Sequence, residues 1–207
     1  LNVDLEIVKI NSDNLADDLE EMIWHLDEPL ADPAPLNVLY ISRLAKERGM
    51  KVLLSGSGGD DLFTGYRRHL ALRYENIWSW LPENARNRLE NFSLKFDQSK
   101  TIGRRLGRLF NNAGATKEQR LASCFAWARR SDLESLYSED MRNALKLNDP
   151  NQTIIDYLKT IDNKLSPIDK LLALEQRFFL ADHNLIYTDK MSMATGVEVR
   201  VPFLDLD

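Results

Sequence analysis

The feature that most constrains the fold is an abrupt change of character between residues 52 and 60. The apolar run Val52 to Leu54 breaks into SGSGG at residues 55–59, and a helix is predicted to begin at Asp60. Three glycines in five residues let the backbone turn sharply and approach a ligand closely. A strand, a glycine loop and a helix in this order are typical of a parallel α/β sheet, whose ligands collect beyond the carboxyl ends of the strands.

The segments before the glycine loop predict further elements of such a sheet. Residues 3–10 alternate apolar and polar and are rich in β-branched side chains, which predicts a short strand. A helix capped by Asn14 should follow and end before Pro29, and a second helix should stop at Gly49. The predicted apolar faces of the two helices are Leu15, Leu19, Met22, Ile23 and Leu26, and Leu36, Leu39, Tyr40 and Leu44.

The region from about residue 70 to 165 shows helical periodicity and no convincing strand, which predicts an all-helical lobe. Ser166 can cap a further helix that Pro167 opens. That helix should present Leu171, Leu174, Phe178 and Leu185 on one face and lead into residues 189–205. No internal repeat and no flexible linker separates these parts.

Composition limits the classes of protein that the chain can belong to. With 43% hydrophobic and 29% charged residues among 207, it is typical of a soluble globular protein. A net charge of -5, with acids and bases mixed along the chain, argues against nucleic acid as the main partner. The sequence shows neither an apolar run of about 20 residues nor a signal-peptide layout, so we expect no membrane partner and a cytoplasmic location.

Cys124 is the only cysteine, which rules out an intramolecular disulfide within these residues and favours a small buried side chain at that position. The chain begins at Leu1 without a methionine and stops at Asp207 directly after RVPFLD. We therefore expect it to be a fragment.

The glycine loop has the composition of an anion site. Its amide N–H groups can converge on one point, and the following helix start adds a partial positive charge. Asp60 and Asp61 would repel a phosphate there unless a cation stood between them, and Mg²⁺ binds carboxylate and phosphate oxygens together. A plain glycine turn in which Asp60 caps its helix explains the same residues. Arg67 and Arg68, which follow closely, could meet phosphate or pair with nearby acids.

Three blocks of the chain resemble the asparagine synthase (glutamine-hydrolysing) family, in the C-terminal part of its synthetase domain. SGSGGDDLFTGY at residues 55–66 is similar to the family's SG-acid-GGDELFGGY, and residues 189–205 match D(R/K)xSMAxGxExRxPFLD. DEPLAD at residues 27–32 is a looser match to DEPxxD. The blocks stand in the family's order and cover essentially the whole chain.

The resemblance implies an ATP pyrophosphatase of adenine-nucleotide α-hydrolase (HUP-like) fold, here an incomplete parallel α/β sheet with a large helical lobe. On that basis residues 1–70 are predicted to be the C-terminal part of the α/β core. Residues 71–165 would form the helical lobe, and residues 166–207 a helix and a substrate-side loop of the same domain. A homodimer is left open.

The resemblance also implies roles for individual residues. Ser55, with the loop residues Gly56, Gly58, Gly59 and Asp61, would bind ATP and its pyrophosphate, and Asp60 would bind Mg²⁺. Asp189, Glu198 and Arg200 would line or brace the substrate end, although Glu198 and Arg200 could equally form a structural pair. Many relatives carry an acid at the position of Ser57, proposed to move a proton in catalysis, so Ser57 is a departure from the family.

The implied reaction is the synthesis of asparagine from aspartate, ATP and ammonia released from glutamine by a glutaminase domain, with AMP and pyrophosphate as products. The family's upstream SGGxDS loop does not occur in residues 1–54. The isolated chain is therefore expected to be inactive. Two alternatives are an amidotransferase or cyclase acting on another carboxylate in polysaccharide or natural-product biosynthesis, and a non-catalytic binding module that retains the fold.

Overall fold

A computed structural model describes residues 5–9, 15–28, 30, 32–126, 128, 130–145 and 149–205. The chain forms two compact units, one of Leu1–Phe63 with Gln176–Asp207 and the other of Thr64–Glu175. We refer to them as the sheet unit and the helical unit. The domain boundaries derived from the sequence stay a prediction.

The sheet unit contains the two strands of the described chain, which pair with each other. Its elements are α1 (Leu15–Leu26), α2 (Ala34–Glu47), β1 (Val52–Leu54), α3 (Gly59–Phe63), α12 (Ile186–Thr195), β2 (Glu198–Arg200) and a 3₁₀-helix (Pro202–Leu204). β1 and β2 are parallel, with Val52 opposite Glu198 and Leu54 opposite Arg200. The α/β class and the parallel sheet are confirmed, and the α-hydrolase type of fold stays a prediction.

The core of the sheet unit lies between α1, α2 and α12. Met22 and Leu26 of α1 pack with Leu36 and Leu39 of α2 and with Met191 of α12. The predicted second helix and its stop are confirmed, since Gly49 follows α2 with a φ of +74° that suits glycine.

The predicted apolar face of α1 is only half buried. Leu19 and Ile23 are exposed, so the buried stripe is narrower than the periodicity indicated. The proposed cap Asn14 lies outside the described residues.

The predicted strand at residues 3–10 is wrong for the part that the structure describes. Residues 5–9 are irregular, and Leu5 and Ile7 are exposed. Alternation alone does not make a strand, because a strand also needs a neighbour to pair with. The ladder within the described chain joins β1 to β2 and leaves residues 5–9 out.

The described part of the helical unit is all helix and turn, as the sequence predicts. Its helices are α4 (Arg67–Glu75), α5 (Glu83–Ser93), α6 (Thr101–Leu109), α7 (Lys117–Ser123), α8 (Arg130–Leu136), α9 (Glu139–Leu145), α10 (Gln152–Thr160) and α11 (Pro167–Leu174). The Ser166 hydroxyl accepts the Asp169 N–H, so the predicted cap of α11 is confirmed. Cys124, expected to be buried, is half-buried, and this burial raises the pKa of its thiol to about 12.

The single helix predicted to start at Pro167 consists of three helical segments with different windings. α11 ends at Leu174, a π-helix spans Glu175–Leu185, and α12 continues from Ile186. Leu171 and Leu174 are buried as predicted, but the buried apolar residue of the π-helix is Leu180 rather than Phe178 or Leu185. A wider winding of i→i+5 type rotates the apolar face relative to a 3.6-residue period. Within the described chain, none of the helices combines the length and apolar character needed to cross a bilayer.

Candidate functional site

The carboxyl ends of β1 and β2 lie at one edge of the sheet and bring two distant sequence blocks together. The Ser55 N–H donates to the Arg200 carbonyl at 2.8 Å, which extends the pairing one residue past Leu54. The glycine loop therefore leaves β1 beside the segment that follows β2. This is the edge at which a parallel sheet binds its ligands.

Internal hydrogen bonds give the glycine loop a defined shape. The Ser57 N–H donates to the Ser55 hydroxyl at 3.1 Å, and the two hydroxyl oxygens lie 2.8 Å apart. The Gly59 N–H reaches the Gly56 carbonyl at 3.2 Å as the chain turns into α3. Ser55 and Ser57 are both half-buried, so they form one small polar pair at the mouth of the loop.

Glycine is required at position 58 by its backbone and by its surroundings. Its φ is +87°, and a Cβ built there would lie 2.8 Å from the Leu204 side chain. At Gly59 a Cβ would sit 3.5 Å from the ring of Phe203, which also packs edge-to-face on Phe63 with centroids 6.0 Å apart. The PFLD segment therefore lies directly against the glycine loop.

The two aspartates of the loop have opposite environments. Asp60 and Asp61 both stand in the first turn of α3, but Asp60 is exposed and Asp61 is 1% exposed. Burial raises the pKa of Tyr187, and the negative charges of Asp32 and Asp61 raise it further. Asp61 is thus a buried carboxyl group of the sheet unit, whereas the exposed Asp60 can reach a ligand.

An Mg²⁺ ion fits the residues present, provided that phosphate and water supply most of its ligands. The described residues contain no group of three or more His, Cys, Asp or Glu side chains that could hold a metal. Mg²⁺ is ordinarily held by one or two carboxylates together with substrate phosphates and waters. The exposed Asp60 carboxylate at the end of the glycine loop can supply one such carboxylate.

The residues expected at the substrate end lie on α12 and β2. Asp189 is exposed, and its carbonyl accepts the Ser192 hydroxyl at 3.1 Å. Arg200 donates from Nε to Glu198 at 3.0 Å, and both side chains are exposed. The structural pair that the sequence left open is therefore formed, and the substrate roles of these three residues stay a prediction.

Two acids of the DEPLAD block contact basic side chains of the same unit: Asp27 forms an ion pair with Lys190, and Asp32 lies beside the His183 ring. Lys190 donates to the Asp27 carboxylate and to the Leu26 carbonyl, each at 2.7 Å, and its hydrogen bond and positive charge hold the pKa of Asp27 below its usual value. His183 Nε2 lies 3.3 Å from Asp32, whose other oxygen accepts the Ala34 N–H at 2.9 Å. Asp27 is thus tied to α12, and Asp32 lies against the π-helix.

Comparison with known proteins identifies the family. The family model described as asparagine synthase matches residues 1–207. The chain belongs to the asparagine synthase family. Its residues are 29% identical to a putative glutamine-hydrolysing asparagine synthetase of Mycobacterium tuberculosis over 202 residues, which cover 95% of this chain and 28% of the relative. They are 30% identical to glutamine-hydrolysing asparagine synthetase 1 of Bacillus subtilis over 204 residues, covering 95% and 29% of the two chains.

A more distant relative carries a different name. The chain is 26% identical over 218 residues to amidase chyE of Penicillium rubens, covering 99% of this chain and 32% of that protein. The chain spans less than a third of the length of these curated relatives. No solved structure gave a significant match.

Arg68 is held by an acid that the sequence did not single out. Its Nε donates to Glu175, a residue with no exposed surface, and its guanidinium lies 4.0 Å from the centre of the Tyr66 ring. His69 accepts the Tyr66 N–H through Nδ1 at 3.2 Å and contacts Glu175 through Nε2 at 2.7 Å. A lone glutamate within an amphipathic helix gives no sequence signal of such a partner, so Glu175 and Lys190 were both missed.

Proposed function

We propose that the whole protein is an ATP-dependent amide-forming ligase of asparagine synthase type. In this reaction a substrate carboxylate oxygen attacks the α-phosphorus of ATP, pyrophosphate leaves, and a carboxyl adenylate forms. Ammonia, delivered from glutamine by a glutaminase domain, then attacks the acyl carbon. AMP leaves with the bond electrons, one proton is lost from nitrogen, and the amide remains.

The observation that carries the proposal is the meeting of the glycine loop and the PFLD segment at the carboxyl edge of the sheet, with Asp60 exposed beside them. The Gly56 and Gly58 amides and the Ser55 hydroxyl would hold the pyrophosphate part of ATP, because donors that converge on one point suit a phosphate. Bound Mg²⁺ would neutralise charge on the phosphates, and Asp60 would contribute a carboxylate to it.

Ser57 limits how the second half-reaction can release its proton. A serine hydroxyl is protonated near neutral pH and is a poor general base. Here its oxygen is also 2.8 Å from the Ser55 hydroxyl, which makes it a hydrogen-bonding neighbour of the pyrophosphate site. The proton therefore leaves through another group of the whole protein or through the substrate itself.

Aspartate is the leading substrate, because both asparagine synthetases among the relatives carry that product in their names. The specific observation in favour of a different carboxylate is Ser57, together with the relative that is named an amidase. A site that lacks the family's acid suits a nucleophile or substrate whose own chemistry removes the proton.

The proposal is tested with the whole protein, MgATP, ammonia and a panel of carboxylates that includes aspartate. We expect AMP and pyrophosphate in equal amounts, formed only with the true substrate, and an amide product seen by mass spectrometry. If an amide forms from another carboxylate but not from aspartate, the proposed reaction stands and the proposed substrate is wrong. A folded protein that binds MgATP yet forms no AMP with any of them would favour the non-catalytic binding module.

A further inference from the structure

A cavity in the helical unit has the layout of a binding site and lies outside every block discussed above. Its volume is about 460 Å³, within the range of small-molecule sites. Leu121, Ile155 and Leu158 from α7 and α10 form an apolar part of its wall, and Lys170 of α11 lies among them. Leu121 and Leu158 are almost completely buried, so the half-buried Ile155 offers most of this apolar surface to a ligand.

Lys170 is the unusual residue of this cavity. It is 8% exposed, and its ammonium donates to the side-chain oxygen of Asn163 at a long 3.4 Å. Among the described residues it forms no ion pair. A nearly buried ammonium costs several kcal/mol in desolvation unless an opposite charge or good hydrogen bonds compensate, and one long bond to a neutral amide does neither well. An anion in the cavity would supply the missing partner.

The other charges that the described residues place around the cavity are of both signs, and all except the half-buried Asp149 lie on exposed residues. Lys117 and Glu118 stand in the first turn of α7, and Lys159 pairs with Asp156 at 2.7 Å on α10. Asp149 accepts the Asn151 N–H at 3.0 Å. These groups leave the rim close to neutral, so the buried ammonium is the feature that selects an anion.

We propose that this cavity binds a small organic carboxylate, whose anionic end pairs with Lys170 and whose apolar body lies against Ile155, beside the buried Leu121 and Leu158. The apolar wall disfavours a bare inorganic anion, because such an ion would remove water from the wall without making apolar contacts with it. The ammonium disfavours a neutral apolar ligand, because it would stay unpaired. The site is independent of the proposed reaction, whose residues lie in residues 55–61 and 189–200.

The test uses the whole protein and three probes at constant ionic strength: isocaproate, the uncharged isocaproamide, and inorganic phosphate as a competitor. Binding is followed by saturation-transfer NMR. The variants are Lys170→Met, which keeps the buried stem and removes the charge, and Lys164→Met, which removes an exposed lysine of the same loop-and-helix segment.

We expect isocaproate to bind wild type and Lys164→Met equally and Lys170→Met at least about tenfold more weakly, as the loss of a charged hydrogen bond predicts. Isocaproamide should bind wild type as weakly as isocaproate binds Lys170→Met. Three results would each overturn the proposal: no isocaproate binding up to about 10 mM, binding unchanged in Lys170→Met, or displacement by phosphate at equal concentration.

Discussion

Replacing Gly58 by alanine tests whether the glycine loop and the PFLD segment are packed as described. The residue has a φ of +87°, which costs an L-residue roughly 1–2 kcal/mol. The new Cβ would lie 2.8 Å from the Leu204 side chain. Overpacking of this kind costs typically about 1–3 kcal/mol, and the half-buried Leu204 can yield in part. We expect Gly58→Ala to lower the free energy of unfolding by about 2–4 kcal/mol.

Gly56→Ala is the matched control, because no heavy atom lies within 4 Å of a Cβ built at that position and its φ is outside the left-handed region. It should be neutral, or stabilising by up to about 1 kcal/mol. Both variants are measured by urea unfolding of the whole protein. In a Leu204→Ala background the new Cβ no longer meets the Leu204 side chain. Gly58→Ala should then lower the free energy of unfolding only by the backbone strain at positive φ, roughly 1–2 kcal/mol. Equal stability of Gly58→Ala and Gly56→Ala would refute the reasoning.

Three further predictions concern single groups. Ser57→Ala should lower amide formation less than about tenfold and leave adenylate formation intact, because one hydrogen bond is lost; a selective thousandfold loss would assign the proton transfer to Ser57. The isolated 207-residue chain should show no ATP-to-AMP turnover with aspartate and ammonia, and pyrophosphate release at an ordinary enzymatic rate would contradict this. Cys124, with a thiol pKa of about 12, should resist iodoacetamide at pH 8 until urea is added, as followed on its peptide by mass spectrometry.

The sequence predicts those parts of the fold whose signals are local. The glycine loop, the stop at Gly49 and the cap at Ser166 each depend on the conformational preference or hydrogen bonding of one or two residues, and all three are found. β2 was not predicted, because three residues are too few to show a periodicity. Its existence depends on pairing with β1, about 145 residues earlier in the chain.

The candidate site is likewise predictable from the sequence only in part. The sequence identifies the two blocks, but their contact through Gly58 and Leu204 follows from the parallel pairing of β1 with β2. The opposite exposure of Asp60 and Asp61 is set by how α3 packs, and adjacent identical residues give no hint of it. Lys190 and Glu175 act through partners more than 100 residues away, which a single sequence does not reveal.

The most direct test of the central claim is pyrophosphate exchange into ATP by the whole protein carrying Asp60→Asn, with Asp17→Asn as the control. Both aspartates are exposed and stand in the first turn of a helix, but only Asp60 adjoins the glycine loop. We predict that Asp60→Asn lowers exchange at least about a hundredfold with the fold preserved, since it removes a charged ligand of Mg²⁺. Asp17→Asn should leave exchange unchanged. Exchange near the wild-type rate in Asp60→Asn would contradict the account and leave Asp60 as an exposed acid in the first turn of α3.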